Sequence, residues 1–267
     1  MKKYSIIIER RIYVMKELEF YNKIKNWDFS MINYEKEVLT NWDMNDEINK
    51  CVNEDSKILD LGTGGGEKVL KYFPKCKEIL ATDFSEEMIK TANFNLRKSN
   101  KDNITFRVMD NLNMDTEENY FDIVTARHTC INAKQIYKTL KKGGKLIIRG
   151  VDKLDCWALK LMFNKGQAFN DIKPISQIDY ENIINAGFKH IELIPIHTRE
   201  YYKTKEDLLA LLLKTPILED FSEVSNNNNI KENRKIDMEI LDKYIVYNKT
   251  EKGILLIRRY YGIVAEK

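Results

Sequence analysis

From Lys57 onward, short apolar runs alternate with amphipathic stretches: KILDL, EKVLKYF, EILATD, SEEMIKTANFNLRK, ITFRVMD, FDIVTAR, INAKQIYKTLKKGG, KLIIRG and a helical WALKLMF. The near-continuous apolar runs suit strands buried on both faces, and the stretches between them suit amphipathic helices. Strand and helix in succession impose right-handed βαβ units, hence a largely parallel sheet with helices on both sides. The class predicted is therefore α/β and Rossmann-like.

The flanks read differently. Residues from about Glu17 to Val52 carry Phe20, Tyr21, Trp27, Phe29, Tyr34 and Trp42 among charges, without glycine or proline, which predicts short helices. After a helix from Tyr180 to Ala186, closed by Gly187, comes a strand HIELIPI; the sequence ends on a strand-like ILLIRRYYGIVAEK. Between these strands stand two apolar helices, KEDLLALLLKT and IDMEILDKYIV, and an asparagine-rich loop. The division expected is 1–55, a helical layer or lid; 56–197, the core; 198–252, a helical insertion shaping a second pocket; and 253–267, the last strand.

Bulk properties exclude several classes. Lys+Arg 44 against Asp+Glu 41 gives a net charge of +3, without the basic excess of a dedicated nucleic-acid binder. Cys51, Cys76, Cys130 and Cys156 are scattered, with neither a CxxC pair nor a histidine at ligand spacing, so no metal is expected. In MKKYSIIIERRIYVMKEL, Glu9, Arg10 and Arg11 interrupt the apolar run too early for a signal peptide or membrane anchor. The expectation is a cytoplasmic chain without membrane attachment.

The run Ile58–Gly66 (ILDLGTGGG) puts a glycine-rich turn at the carboxyl end of the first core strand, where open α/β sheets bind nucleotides. A dinucleotide fingerprint needs a glycine where this chain has Glu67. Asp60 adds a carboxylate that repels a pyrophosphate and attracts an ammonium group. Asp83 ends the next strand, placed to accept hydrogen bonds from two ribose hydroxyls, with Phe84 and Met88 after it to cover an adenine face. Asp110 ends the third, placed to accept from an adenine amino group. Each acid has a plainer use as well: Asp60 or Asp83 as a helix cap, Asp110 in a turn.

LDLGTGGGE, ATDFSEEMIKTA, VMDNLNM, FDIVTARH and LKKGGKLIIRG, in this order, resemble the motifs of class I S-adenosylmethionine-dependent methyltransferases from about Ser56 to Val151. More narrowly, TGGGE, RH after the fourth strand and WDFS before the core resemble bacterial methyltransferase-like proteins. The resemblance implies a seven-stranded sheet whose last strand is antiparallel, with S-adenosylmethionine as cofactor and S-adenosylhomocysteine as product. Carried over by position, Asp60, Gly62, Thr63 and Gly64 line the methionine and ribose part of the cofactor site. Asp83 binds the ribose, with Phe84 and Met88 beside it. Met109, Asp110 and Asn111 surround the adenine. Ala126, Arg127 and His128 stand near the methyl sulfonium. The run TARHT departs from the NPPY-type tetrad, which removes the usual support for amino methylation of bases or glutamine.

In-line methyl transfer asks mainly for alignment of donor and acceptor. His128 is the candidate base or orienting group, with a packing role as its alternative. His190 and His197 read as structural or surface residues. Trp27, Phe29, Tyr34 and Trp42 either lid a pocket or pack helices onto the sheet. Arg258, Arg259, Tyr260 and Tyr261 suit RNA contacts or plain strand alternation. The function expected is methylation of a small-molecule acceptor; an RNA or protein methyltransferase and a non-catalytic cofactor-binding protein are the alternatives.

Overall fold

The apolar runs become strands in the computed structural model, which describes residues 31–218 and 230–267. Trp27, Phe29 and the asparagines at 226–229 lie outside the described residues. Strands β2 (Lys57–Leu61), β3 (Glu78–Asp83), β4 (Ile104–Val108), β5 (Phe121–Arg127) and β6 (Leu140–Val151) run parallel. Helices α1 (Met44–Cys51), α2 (Glu67–Tyr72), α3 (Glu86–Arg97) and α4 (Ala133–Thr139) alternate with the first of them. Then follow α5 (Trp157–Phe163), α6 (Ile175–Ala186), β7 (Lys189–Tyr202), α7 (Lys205–Lys214), α8 (Ile230–Asn248), β8 (Lys249–Thr250) and β9 (Gly253–Glu266).

The strand order is β1-β7-β9-β6-β5-β2-β3-β4, where β1 is Tyr34–Val38, and β8 pairs with β9. β9 lies antiparallel between β6 and β7. The sheet has nine strands rather than the seven expected, because β1 adds to the free edge of β7 and the two-residue β8 pairs with β9. Tyr34 is accordingly in a strand and not in the helix predicted for it. Its ring stacks on Tyr202 at 5.3 Å, a contact across strands that outweighs the local composition. β7 also runs on past HIELIPI through Tyr202, pairing with β9 over its length.

Alternation along the central strands feeds two layers. Leu59, Leu61, Val124 and Leu146 pack with Ile136 of α4 and Ile183 of α6, whereas Ile58, Ile79, Ile123 and Ile147 pack with Met44, Ile48, Val69 and Ile89 of the helices opposite. Each such side chain stabilises the fold by about 2 kcal/mol. A third cluster, including Leu159, Leu208, Leu212, Leu241 and Tyr244, joins α5, α7 and α8 to Tyr202 and Leu256. No helix among the described residues is long and apolar enough to cross a membrane.

β2 leads one way to β3 and β4, while β5 and β6 lie on its other side. The chain thus reverses direction between β2 and β5, and loops at their carboxyl ends diverge around a crevice.

Candidate functional site

The loop after β2 occupies that crevice. Gly62, Gly64 and Gly66 all have positive φ, of 73°, 58° and 78°, which a side chain adopts only at a cost. A Cβ on Gly62 would lie 2.6 Å from Thr129 Cβ, and one on Gly66 the same distance from Phe106 Cζ. The neighbouring strand braces the loop: the Gly62 and Thr63 amides both donate to the Thr82 carbonyl at 2.9 Å, and the Gly64 amide donates to Asp83 Oδ2 at 2.9 Å.

Asp60 is 5% exposed and faces its register partner on β5, Thr125, whose hydroxyl donates to it at 2.6 Å. Burial pushes this carboxyl up to about 6, against the opposing pull of the Thr125 hydrogen bond and the Arg127 charge. Asp83, at the end of β3, is half-buried and accepts from the Ser85 amide at 2.9 Å as well as from Gly64. Burial raises its pKa, partly offset by those amides. The side-chain cap of α3 is Ser85, so Asp83 is not spent on that task. Asp110 lies two residues beyond β4 and accepts from the Leu112 amide at 2.8 Å, the turn geometry foreseen as its plainer use.

Met88 and Met109 are buried, Phe84 is exposed, and Ala126 is wholly buried in the core, leaving only its backbone near the crevice. Asn111 donates to the Thr129 hydroxyl at 2.9 Å. Thr63 Oγ1 is buried beside Asp60, and Asn111 Oδ1 is buried with no hydrogen-bond partner among the described residues. The crevice thus gathers Asp60, the glycine loop, Asp83 and the segment from Met109 to Asn111 at the ends of three neighbouring strands.

A second group stands after β5 and β6. Arg127 and Arg149 are register partners on these strands. Arg127 Nη2 donates at 3.0 Å to Asn45 Oδ1, and Asn45 sits in the first turn of α1, where the Asp43 cap fixes its amide at 2.7 Å. His128 takes a left-handed φ of 53° and donates its amide to the Arg149 carbonyl at 2.8 Å. Its ring stacks on Tyr260 at 5.6 Å and 15°, and its Nε2 faces Arg149 Nη1. Desolvation where the ring packs on Tyr260, then the charges of Arg149, Arg127 and Arg258, hold the imidazole below the usual histidine range, although the residue as a whole is exposed to solvent.

Thr129, Asn45 and Arg149 were not foreseen as site residues, and Tyr260 was foreseen only as an RNA contact or a residue of plain strand alternation. The one available signal was a charge, Arg149, at the end of the apolar run KLIIRG. Trp42 packs over Gly262 of β9 and within the cluster of α1 to α3. His190 and His197 are exposed on β7. Arg258 is buried in ion pairs with Asp155 at 3.0 Å and Glu200 at 3.3 Å, and Tyr260 and Tyr261 are buried too.

Residues 52–203 match the model of the methyltransferase domain family. The chain belongs to that family. Among relatives of this methyltransferase domain, the demethylmenaquinone methyltransferase of Porphyromonas gingivalis is 28% identical over 102 residues, covering 34% of this chain and 42% of that protein. The ubiquinone/menaquinone biosynthesis C-methyltransferase of Rickettsia prowazekii is 31% identical over 149 residues, covering 49% of this chain and 58% of that protein. The chain thus spans about half the length of these relatives. The solved structure of the YcgJ protein of Bacillus subtilis shares the fold, with a TM-score of 0.56 at 13% identity, covering 84% of this chain and 97% of that one.

Proposed function

We propose that the chain transfers a methyl group from S-adenosylmethionine to a small-molecule acceptor. The observation that carries this reading is the set of carboxylates at Asp60, Asp83 and Asp110 around a glycine loop hydrogen-bonded to the neighbouring strand. The residues fit a cationic nucleoside. Asp60 is desolvated and lacks an ion pair among the described residues, so a ligand ammonium would complete it. Asp83 is open enough to accept from ribose hydroxyls. The unpartnered Asn111 Oδ1 marks a further polar position beside the adenine segment.

The cofactor, when bound, supplies an electrophilic methyl group on a sulfonium. Asp60 orients the methionine end, Asp83 holds the ribose, and Met109 to Asn111 enclose the adenine. Arg127 and His128 then border the methyl group. With its Nε2 turned to the Arg149 guanidinium and not free to reach an acceptor proton, His128 suits a positioning role rather than that of a base. We assign the acceptor side to elements outside the 56–197 core, namely the 1–55 layer, which supplies Asn45, and the helices of the 198–252 insertion. Calorimetric titration with S-adenosylhomocysteine tests the reading: saturable one-to-one binding is expected, and its absence sinks it.

A further inference from the structure

The group formed by Arg127, Arg149 and His128 asks for a partner that the protein does not provide. Neither arginine makes an ion pair among the described residues; the carboxylates nearby, Asp155 and Glu200, pair with Arg258 instead. Asp60 lies near Arg127 but makes its short hydrogen bond to Thr125. The two guanidinium groups stand on paired strands at one register position and are each partly buried, so they repel one another in a medium that screens poorly. Lys36 on β1 and Lys68 on α2 add charge of the same sign to this end of the sheet.

Yet both arginines are held in place. Arg127 is tied to Asn45. The Arg149 guanidinium lies 4.1 Å from the centre of the Tyr260 ring, with His128 stacked on the same ring and its Nε2 against Arg149 Nη1. A neutral imidazole can accept that hydrogen bond and the Tyr260 hydroxyl another, which leaves the other guanidinium donors of Arg149 for a ligand. Asp60 and Asp43 offset part of the charge on Arg127, and Asp155 part of that on Arg149, but none is in ion-pair contact with either; two planar, preorganised cations in this setting are a receptor for a planar or tetrahedral oxyanion.

We propose that the methyl acceptor carries a compact oxyanion, a carboxylate or a phosphate, and that Arg127 and Arg149 bind it beside the site of methyl transfer. This rests on the cofactor reading above and names the acceptor class for the same site. Arg127 and Arg149 set acceptor specificity, and His128 with Tyr260 positions Arg149.

The test uses the whole protein, with and without saturating S-adenosylhomocysteine, titrated with inorganic phosphate and separately with acetate, and monitored by NMR or tryptophan fluorescence. Wild type is expected to bind at least one of the two anions saturably. Arg149→Gln and Arg127→Gln should each weaken that binding by roughly tenfold, and Arg149→Gln, at a residue the cofactor reading does not use, should leave S-adenosylhomocysteine affinity near wild type. Arg149→Lys, which keeps the charge on a differently shaped head, should fall between and guards against misfolding of the neutral variant. Phosphate binding alone assigns a phosphorylated acceptor, and acetate binding a carboxylate. Absence of anion binding to wild type, or anion affinity unchanged in both Gln variants, overturns the proposal. So does a parallel loss of S-adenosylhomocysteine affinity in Arg149→Gln, which would give that arginine to the cofactor's own carboxylate. Failure of wild type to bind S-adenosylhomocysteine while still binding anion through the arginines would sink the cofactor reading alone.

Discussion

The amide of Gly64 donates to the carboxylate of Asp83 at 2.9 Å, so the end of β3 fastens the loop that follows β2. One carboxylate therefore shapes the loop and, on the proposed reading, also holds the ribose. Asp83→Ala should cost about 3 kcal/mol of S-adenosylhomocysteine binding, roughly a hundredfold by calorimetry, from charge-assisted hydrogen bonds lost together with loop order. Asp83→Asn, which keeps one acceptor oxygen, should lie between. Near wild-type affinity for the alanine variant would remove Asp83 from the site.

Asp60 makes the site sensitive to pH. An acid held up near 6 by burial, against 3.8 in the open, gives a folded state that binds more protons across that window. Stability should therefore fall as pH rises from about 4 to about 6, by at most about 3 kcal/mol from this group. Asp60→Asn removes the effect, so its stability relative to wild type in urea unfolding should be greater at neutral pH than at pH about 4. S-adenosylhomocysteine affinity should rise with pH through the same window in wild type and stay level in Asp60→Asn. A pH-independent difference between the two proteins would count against a buried, titrating Asp60.

Gly66 begins α2 with a φ of 78° and no room for a side chain, since Phe106 Cζ would meet a Cβ at 2.6 Å. Gly66→Ala should cost about 2 kcal/mol or more in urea unfolding, the strain of the left-handed backbone adding to the clash. A cost within error of zero would mean that the loop and Phe106 shift freely.

Arg258 and Asp155 form a buried ion pair reinforced by the Arg259 amide at 2.8 Å. Asp155→Ala leaves the guanidinium with Glu200 alone and should destabilise the fold by about 3 kcal/mol, whereas the triple variant Asp155→Leu, Arg258→Met and Glu200→Gln, which removes all three charges, should lose less. Equal losses in the two proteins would show that the cost is one of packing rather than of unpaired charge.

The parts of the fold legible in the sequence are those encoded within a few residues. KILDL running into GTGGG announces a buried strand and a tight turn, and Ile58 to Gly66 takes up that place in the structure. Asp60 and Asp83 follow because strand ends position them. β1 was not legible: YEKEV has no apolar alternation, it is mostly exposed, and only its pairing with β7 makes it a strand. The cluster of His128, Arg149 and Tyr260 assembles from the residue after β5 and from β6 and β9, segments separated in sequence, so no local pattern announces it. Ala126 was legible in place but not in direction, since a strand turns alternate residues to opposite faces and Ala126 goes to the core.

The insertion of β9 between β6 and β7 has a consequence for how the chain reaches its folded state. Those three strands cannot close into one sheet until β9, late in the chain, arrives to bridge the other two. Until then β6 presents an unpaired apolar edge, LIIRG, of the kind that invites pairing with another chain. Assembly is thus gated by contacts distant in sequence, which makes for slow folding and a window of aggregation risk that closes only when β9 docks.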